Sequence, residues 1–179
     1  MLPYMGEERT DIRLVEPSDA EALSTHLARD RAAFARWEPA QPDGYYTAVG
    51  QSARIGRLLD QHREGLTWPG VVLADGVVIG QATVGSIIAG PFRKGSVGYW
   101  IGTPHQNRGH ARRAAALLLE RMAEELGLHR AEASTQLENL PSQRVLKAVG
   151  FSPYGIAHEH IFVDGAWRDG LLWELTLGN

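Results

Sequence analysis

The chain has 179 residues, 44% of them hydrophobic and 22% charged, with a net charge of −3 and no cysteine. That length buries a core without disulfides or metal staples, so a single domain over residues 1–179 is expected. The missing cysteines exclude a disulfide framework and any thiolate nucleophile or metal site, and the slight acidity argues against general nucleic-acid binding.

No apolar run approaches the ~18 residues that span a bilayer. The opening MLPYMGEERTD lacks a signal-peptide hydrophobic region. A cytoplasmic protein with no membrane partner is expected.

In chain order, TDIRLVE (10–16) alternates Ile12 and Leu14 with polar residues, as a half-buried strand does. In PSDAEAL, Ser18 and Glu21 have the spacing of a capping box. The helix they would open carries Leu23, Leu27 and Phe34 on its apolar side. RWEPAQPDG (36–44) is a loop by its prolines and glycine. A second helix is predicted from about Val49 to Glu64, with Ile55, Leu58 and Leu59 inward. GVVLADGVVIGQATVGSII (70–88) reads as a hairpin turning at Asp75-Gly76. A turn at PFRKG (91–95) leads to a strand, SVGYWIG (96–102).

HQNRGHARRAAALLLERMAEEL (105–126) is an amphipathic helix with Ala111, Ala115, Leu118, Met122 and Leu126 on one stripe. HRAEAST (129–135) is a strand, and NLPSQRVLKAVG (139–150) a short helix with Asn139 near its start, Pro141 in its first turn and Gly150 as its stop. The tail IAHEHIFVDGAWRDGLLWEL is a second hairpin turning at Asp164-Gly165. Hairpins interrupted by strand–helix–strand crossovers imply an α/β fold, a mixed sheet with helices on its faces.

The helix at 105–126 has its charges reversed. Arg108, His110, Arg112 and Arg113 crowd its N-terminus, the positive end of the helix dipole, and Glu120, Glu124 and Glu125 close it. Each misplaced charge costs from a few tenths to about 1 kcal/mol. No Asp, Glu or Ser caps the first-turn amides. An anion would reverse these penalties, and Gly109 lets the backbone approach it. A phosphate or pyrophosphate site is the expectation; a solvated basic turn is the alternative.

QNRGHARRA, following GYWIG, resembles the acyl-CoA pyrophosphate loop of the GNAT N-acetyltransferases, Gln/Arg-x-x-Gly-x-Gly/Ala, at Gln106, Gly109 and Ala111. NLPSQRVLKAVGF is similar to the Asn-x-x-Ser…Gly-Phe pattern of the RimJ/RimL branch at Asn139, Ser142, Gly150 and Phe151. WEPAQPDGYY (37–46) resembles the Trp-Glu-Pro segment of RimJ-type N-terminal alanine acetyltransferases. The resemblance implies a mostly antiparallel, twisted sheet of about seven strands with helices on both faces. Two splayed parallel strands, 96–102 and 129–135, would hold the acyl-CoA.

The co-substrate implied is acetyl-CoA, with no metal. Backbone groups near Trp100, Ile101 and Gly102 would pair with pantetheine. The loop at Gln106 and Asn107 and the amides of Arg108, Gly109, His110, Ala111 and Arg112 would hold the pyrophosphate. Asn139 would bond the pantetheine amide, besides serving as a helix cap. Ser142 would sit near the sulfur as a proton donor, or else bond its own backbone.

The general base implied by relatives is a glutamate on the penultimate strands, a position that falls here at Ile161, with Glu159 and His160 beside it. Glu159 and Glu38 are the candidate bases, and Glu38 could instead orient the acceptor's ammonium group. His158 and His160 would share a strand face, but spacing places no third metal ligand near them. Trp37, Tyr45 and Tyr46 would wall the acceptor channel.

The function implied is acetyl transfer to the N-terminal α-amino group of a protein, a ribosomal protein beginning with Ala or Ser being the suggested acceptor. The alternatives are acetylation of a small amine (polyamine, amino acid or aminoglycoside) and a non-catalytic acetyl-CoA-binding module. The late aromatics Phe162, Trp167 and Trp173 fit either a homodimer interface or the core of a monomer.

Overall fold

Eleven strands and helices follow one another in the expected order: β1 (Thr10–Leu14), α1 (Ala20–Phe34), α2 (Ala48–Arg63), β2 (Trp68–Ala74), β3 (Val77–Ile88), β4 (Lys94–Ile101), α3 (His110–Glu124), β5 (Arg130–Gln136), α4 (Leu140–Ala148), β6 (Ser152–Val163) and β7 (Ala166–Thr176). The computed structural model describes residues 8–178, so the first seven residues of the N-terminal stretch read above lie outside the described residues. Both hairpins turn where the Asp-Gly pairs stand. Asp75 and Gly76 (φ 47° and 84°) and Asp164 and Gly165 (φ 51° and 72°) are all left-handed, the requirement of a two-residue turn that matches strand twist.

The Ser18–Glu21 capping box does not form. Pro17 instead opens a single 3-10 turn, Pro17–Asp19, and α1 starts one residue later. Asp19 accepts the Glu16 N–H at 2.8 Å and two guanidinium bonds from Arg13, each 2.8 Å. A two-point charged contact from β1 outcompetes a local hydroxyl.

The seven strands form one sheet, ordered β1-β2-β3-β4-β5-β7-β6. Val71 and Val72 are neighbours on β2, so their side chains point to opposite faces. Val72 joins Ile12, Leu118, Met122, Leu146 and Trp173 under α3 and α4. Val71 joins Val15, Leu23, Ile55 and Val78 under α1 and α2. Both faces are therefore covered by helices. Trp173 is fully buried in the first cluster, whereas Phe162 and Trp167 are exposed. Burial of a side chain such as Leu118 is worth about 1.5–3 kcal/mol.

The site arises where the sheet splits. β4 and β5 are parallel and pair only at Lys94–Arg130, Gly95–Ala131 and Ser96–Glu132. Beyond Ser96, β4 stays with β3 as far as Ile101, while β5 stays with β7 as far as Gln136. A gap with unpaired strand edges opens between them, and buried backbone groups there need an outside partner.

The far end of β4 is anchored to α1. Asp30 accepts the Thr103 N–H at 2.8 Å and the Thr103 hydroxyl at 2.6 Å. Burial pushes this carboxyl up, but bonds from Arg29 and Thr103 outweigh it and hold the pKa at about 2.

Candidate active site

A cavity of about 580 Å³ fills the gap between β4 and β5 and continues over α3, α4 and the loop after α1. Its floor is Val97 to Ile101 on one side and Ala133 to Gln136 on the other.

At one end lies the N-terminus of α3. Asn107 (φ 61°) and Gly109 (φ 84°) are left-handed, the kind of alternation that makes an anion-binding concavity of backbone amides. Asn107, Gly109, His110, Ala111 and Arg112 all line the cavity. Arg112 is the cation of the loop that does so.

Arg108 is turned away and pairs with Glu8 at 3.2 Å. The ring of His110, 1% exposed, is held between Thr10 at 2.8 Å and Glu8 at 3.1 Å. Part of the reversed charge is thus compensated by a carboxylate arriving from before β1.

Gln106 lines the cavity but donates its amide to the Ile101 carbonyl at 2.8 Å, which closes the end of β4. Trp100 and Ile101 line the cavity; Gly102 does not. The Gly102 N–H bonds Ile79 at 2.8 Å, and a side chain there would meet His26 at 2.7 Å.

The α4 wall supplies an amide and a hydroxyl. Asn139 caps α4 by accepting the Ser142 N–H at 3.2 Å, which leaves its own amide N–H groups for the cavity that it lines. The hydroxyl of Ser142 lies 3.0 Å from that of Tyr99 on β4, and Tyr99 also reaches the Ser142 carbonyl at 3.2 Å. Burial pushes the Tyr99 phenol up to about 12, against the opposing bond from Ser142, so it stays protonated as a hydrogen-bond donor.

The opposite end is built from distant segments. Gln136, the last residue of β5, donates to the Trp37 carbonyl at 3.1 Å and ties the loop after α1 to the mouth of the gap. Trp37 and Glu38 line the cavity there. Burial raises the Glu38 carboxyl above its ordinary range, and the nearby Arg54 only partly opposes this. Tyr45 and Tyr46 do not line the cavity. They pack edge to face at 5.2 Å, with Arg31 over Tyr46 at 4.3 Å, and hold the loop down.

The β6–β7 hairpin closes this end, and it is bulged. Ala157 pairs with Gly170 and Ile161 with Arg168, so His158, Glu159 and His160 stand opposite Asp169 alone. Glu159 takes a left-handed conformation (φ 49°), is exposed and does not line the cavity. His160 and Ile161 line it instead. The bulge also breaks the shared face expected for His158 and His160, since His158 bonds Asp169 at 3.0 Å. Among the described residues, no group of three His, Asp or Glu side chains could hold a metal ion.

The model of the acetyltransferase (GNAT) domain family matches residues 9–152. The chain belongs to the GNAT acetyltransferases. It is 30% identical to the [ribosomal protein uS5]-alanine N-acetyltransferase of Escherichia coli (strain K12), over 94% of this chain and 88% of that one. Among solved structures, Mycobacterium smegmatis RimJ in complex with CoA-disulfide superposes with a TM-score of 0.91 at 33% identity, covering 93% of this chain and 81% of that chain. The ribosomal-protein-S5-alanine acetyltransferase of Vibrio fischeri also gives 0.91, at 30% identity, over 96% and 95% of the two chains. The fold is accordingly the GNAT fold of the RimJ/RimL branch, and the chain is an acetyl-CoA-dependent acyltransferase.

Tyr99 and Gln136 line the cavity of this GNAT domain but are not among the sequence candidates, and the sequence places His160 only beside the position where relatives carry the base. Tyr99 shares the β4 face of Val97 and Ile101, so alternation alone could have put a phenol beside α4. Gln136 carries no such signal, and adjacency alone does not say which of Glu159 and His160 enters the cavity. Their roles depend on where β5 ends and where β6 bulges.

Proposed function

We propose that this enzyme transfers the acetyl group of acetyl-CoA to the N-terminal α-amino group of a protein, with a ribosomal protein beginning with Ala or Ser as the favoured acceptor. The observation that carries this reading is the 30% identity, across 94% of the chain, to an enzyme named for acetylating an alanine of ribosomal protein uS5. Acetyl-CoA fits the split between β4 and β5: its pantetheine amides match two unpaired strand edges, and its pyrophosphate matches the amide concavity at Asn107 to Arg112. Residues 1–179 act as one catalytic domain in this reading.

The residues divide the work. Asn139 and the edge of β4 orient the thioester. Ser142 and Tyr99 offer hydrogen bonds to the departing sulfur. A thiol with a pKa near ~8.5 leaves without strong acid help, so a phenol held at about 12 serves by hydrogen bonding rather than by full proton transfer. Glu38 receives the acceptor's ammonium group, which relieves a carboxylate that burial makes costly.

An α-amino group with pKa ~7.7–8.0 is roughly a tenth or more neutral at pH 7, against a few in ten thousand for a lysine at ~10.4. A site without a strong base favours the former.

The test is thiol release from acetyl-CoA with Ala-, Ser- and Met-starting peptides, N-blocked lysine peptides, polyamines and aminoglycosides. Free Ala and Ser termini should turn over at least about tenfold faster than any other acceptor. Turnover confined to small amines would reject the protein-terminus reading.

A further inference from the structure

We infer that His160 is the general base of the acetyl transfer, an inference that rests on the acetyltransferase reading above. Three features of the β6–β7 hairpin converge on its ring. The first is the bulge, which sets three residues of β6 against Asp169. Asp169 clamps it, accepting the Glu159 N–H at 2.9 Å and bonding His158 at 3.0 Å. The second is Gly170. A side chain at this position would place its first carbon 2.7 Å from His160 Cδ2 and 2.9 Å from Cγ, so the imidazole lies over the bare glycine. The third is location. Gly170 pairs on its other side with Gln136, where β5 ends at the mouth of the gap, and His160, Gly170, Gln136 and Glu38 all line the one cavity.

The clamp holds the neighbouring carboxylate off the cavity lining. An unbroken strand would alternate His158, Glu159 and His160 across the sheet. His160 is exposed as Glu159 is, but the bulge puts Glu159 in a left-handed conformation off the cavity lining and leaves the imidazole on it. Imidazole is the side chain whose ordinary protonation range lies nearest to neutrality, so it accepts a proton from an α-ammonium group with little penalty.

The step balances simply. The amine nitrogen bonds to the thioester carbonyl carbon, and the C–S bond breaks with its electron pair on sulfur. The amine's proton passes to an imidazole nitrogen of His160, directly or through one water. The Ser142–Tyr99 pair hydrogen-bonds the departing sulfur, which is then reprotonated from solvent. The charged and titratable groups around this end are Glu38 and Arg36 on the loop after α1, with Arg54 behind Glu38, Arg144 on α4, and Asp169, His158, Glu159 and Arg168 on the hairpin; His105, His110 and Arg112 line the far end.

The test is the pH profile of kcat/KM for His160→Gln from about pH 5.5 to 9.5, alongside acetyl-CoA affinity by calorimetry. The variant should lose about 100-fold at pH 7 with unchanged acetyl-CoA Kd. The deficit should shrink to about tenfold or less at pH 9, where an α-amine of pKa ~7.7–8.0 arrives neutral. Added imidazole should restore part of the activity of His160→Ala. A loss equal at pH 7 and pH 9, with no imidazole rescue, would reduce the ring to a packing role and overturn the proposal. The profile is run on whichever acceptor the wild type uses. Failure of the peptide reading alone therefore appears as turnover of a different amine, with the His160 comparison still decisive.

Discussion

At the α3 end of the cleft, the groups that would meet a ligand are backbone amides of one contiguous loop, Asn107 to Arg112. At the hairpin end they are side chains from residues 38, 136 and 160, the last of them laid over a bare glycine at 170. The first arrangement tolerates changes of side chain but not of backbone conformation. The second is the reverse: its chemistry depends on a carboxylate, an amide and an imidazole brought together from a loop, a strand end and a bulge. A co-substrate shared by a family suits the first arrangement, and an acceptor that differs among relatives suits the second.

The largest effect expected from breaking this division, after that of His160, is at Glu38. Glu38→Gln should lower kcat/KM for an Ala-starting peptide about 50-fold, the scale of one hydrogen bond to a charged group, with acetyl-CoA Kd unchanged by calorimetry. Stability should move the other way. Burial raises the Glu38 pKa in the folded state. The wild type therefore loses stability as pH rises from the ordinary carboxylate range through that raised value. Glu38→Gln removes this slope, so its Tm at pH 7 should equal or exceed that of the wild type. A lower Tm would mean that Arg54 makes the carboxylate net stabilising.

Gly109→Ala tests the other end. The added carbon meets nothing nearer than Arg113 at 3.7 Å, so the penalty comes from φ 84° and not from a clash. About 1–2 kcal/mol of left-handed strain should raise acetyl-CoA Kd about 20-fold and leave peptide KM little changed. Equal losses for both ligands would show that the two ends are coupled.

Ser142→Ala should reduce kcat about tenfold, because the thiolate leaves readily and Tyr99 still offers a hydrogen bond. A loss beyond about a thousandfold with binding intact would give Ser142 an obligatory role. The smallest effect is expected at Glu159, exposed and outside the cavity. Glu159→Gln should change kcat/KM by less than about twofold in the same assay.

Legibility followed the same division. The α3 loop could be read because its signals are adjacent in the chain: Gly109 where φ must be positive, Gln106 before it, and arginines where a helix should carry acids. What adjacency left out is the contribution of Glu8, which takes up Arg108 and His110 from a segment about a hundred residues away. The Ser18–Glu21 capping box failed for a related reason, since Arg13 reaches Asp19 across a turn that local spacing does not anticipate.

The sequence by itself determined the eleven elements, both Asp-Gly turns, the mixed sheet and the glycine-bearing turn that opens α3, all consequences of periodicity and backbone conformation within a few residues. Only the tertiary structure decided where β4 and β5 part, which carboxylate of the candidate pair enters the cleft, and that His160 faces it. Alternation along a strand is a local rule that holds while the strand is unbroken. Asp169 and Gly170, on the partner strand, determine where β6 breaks and what then fits against it.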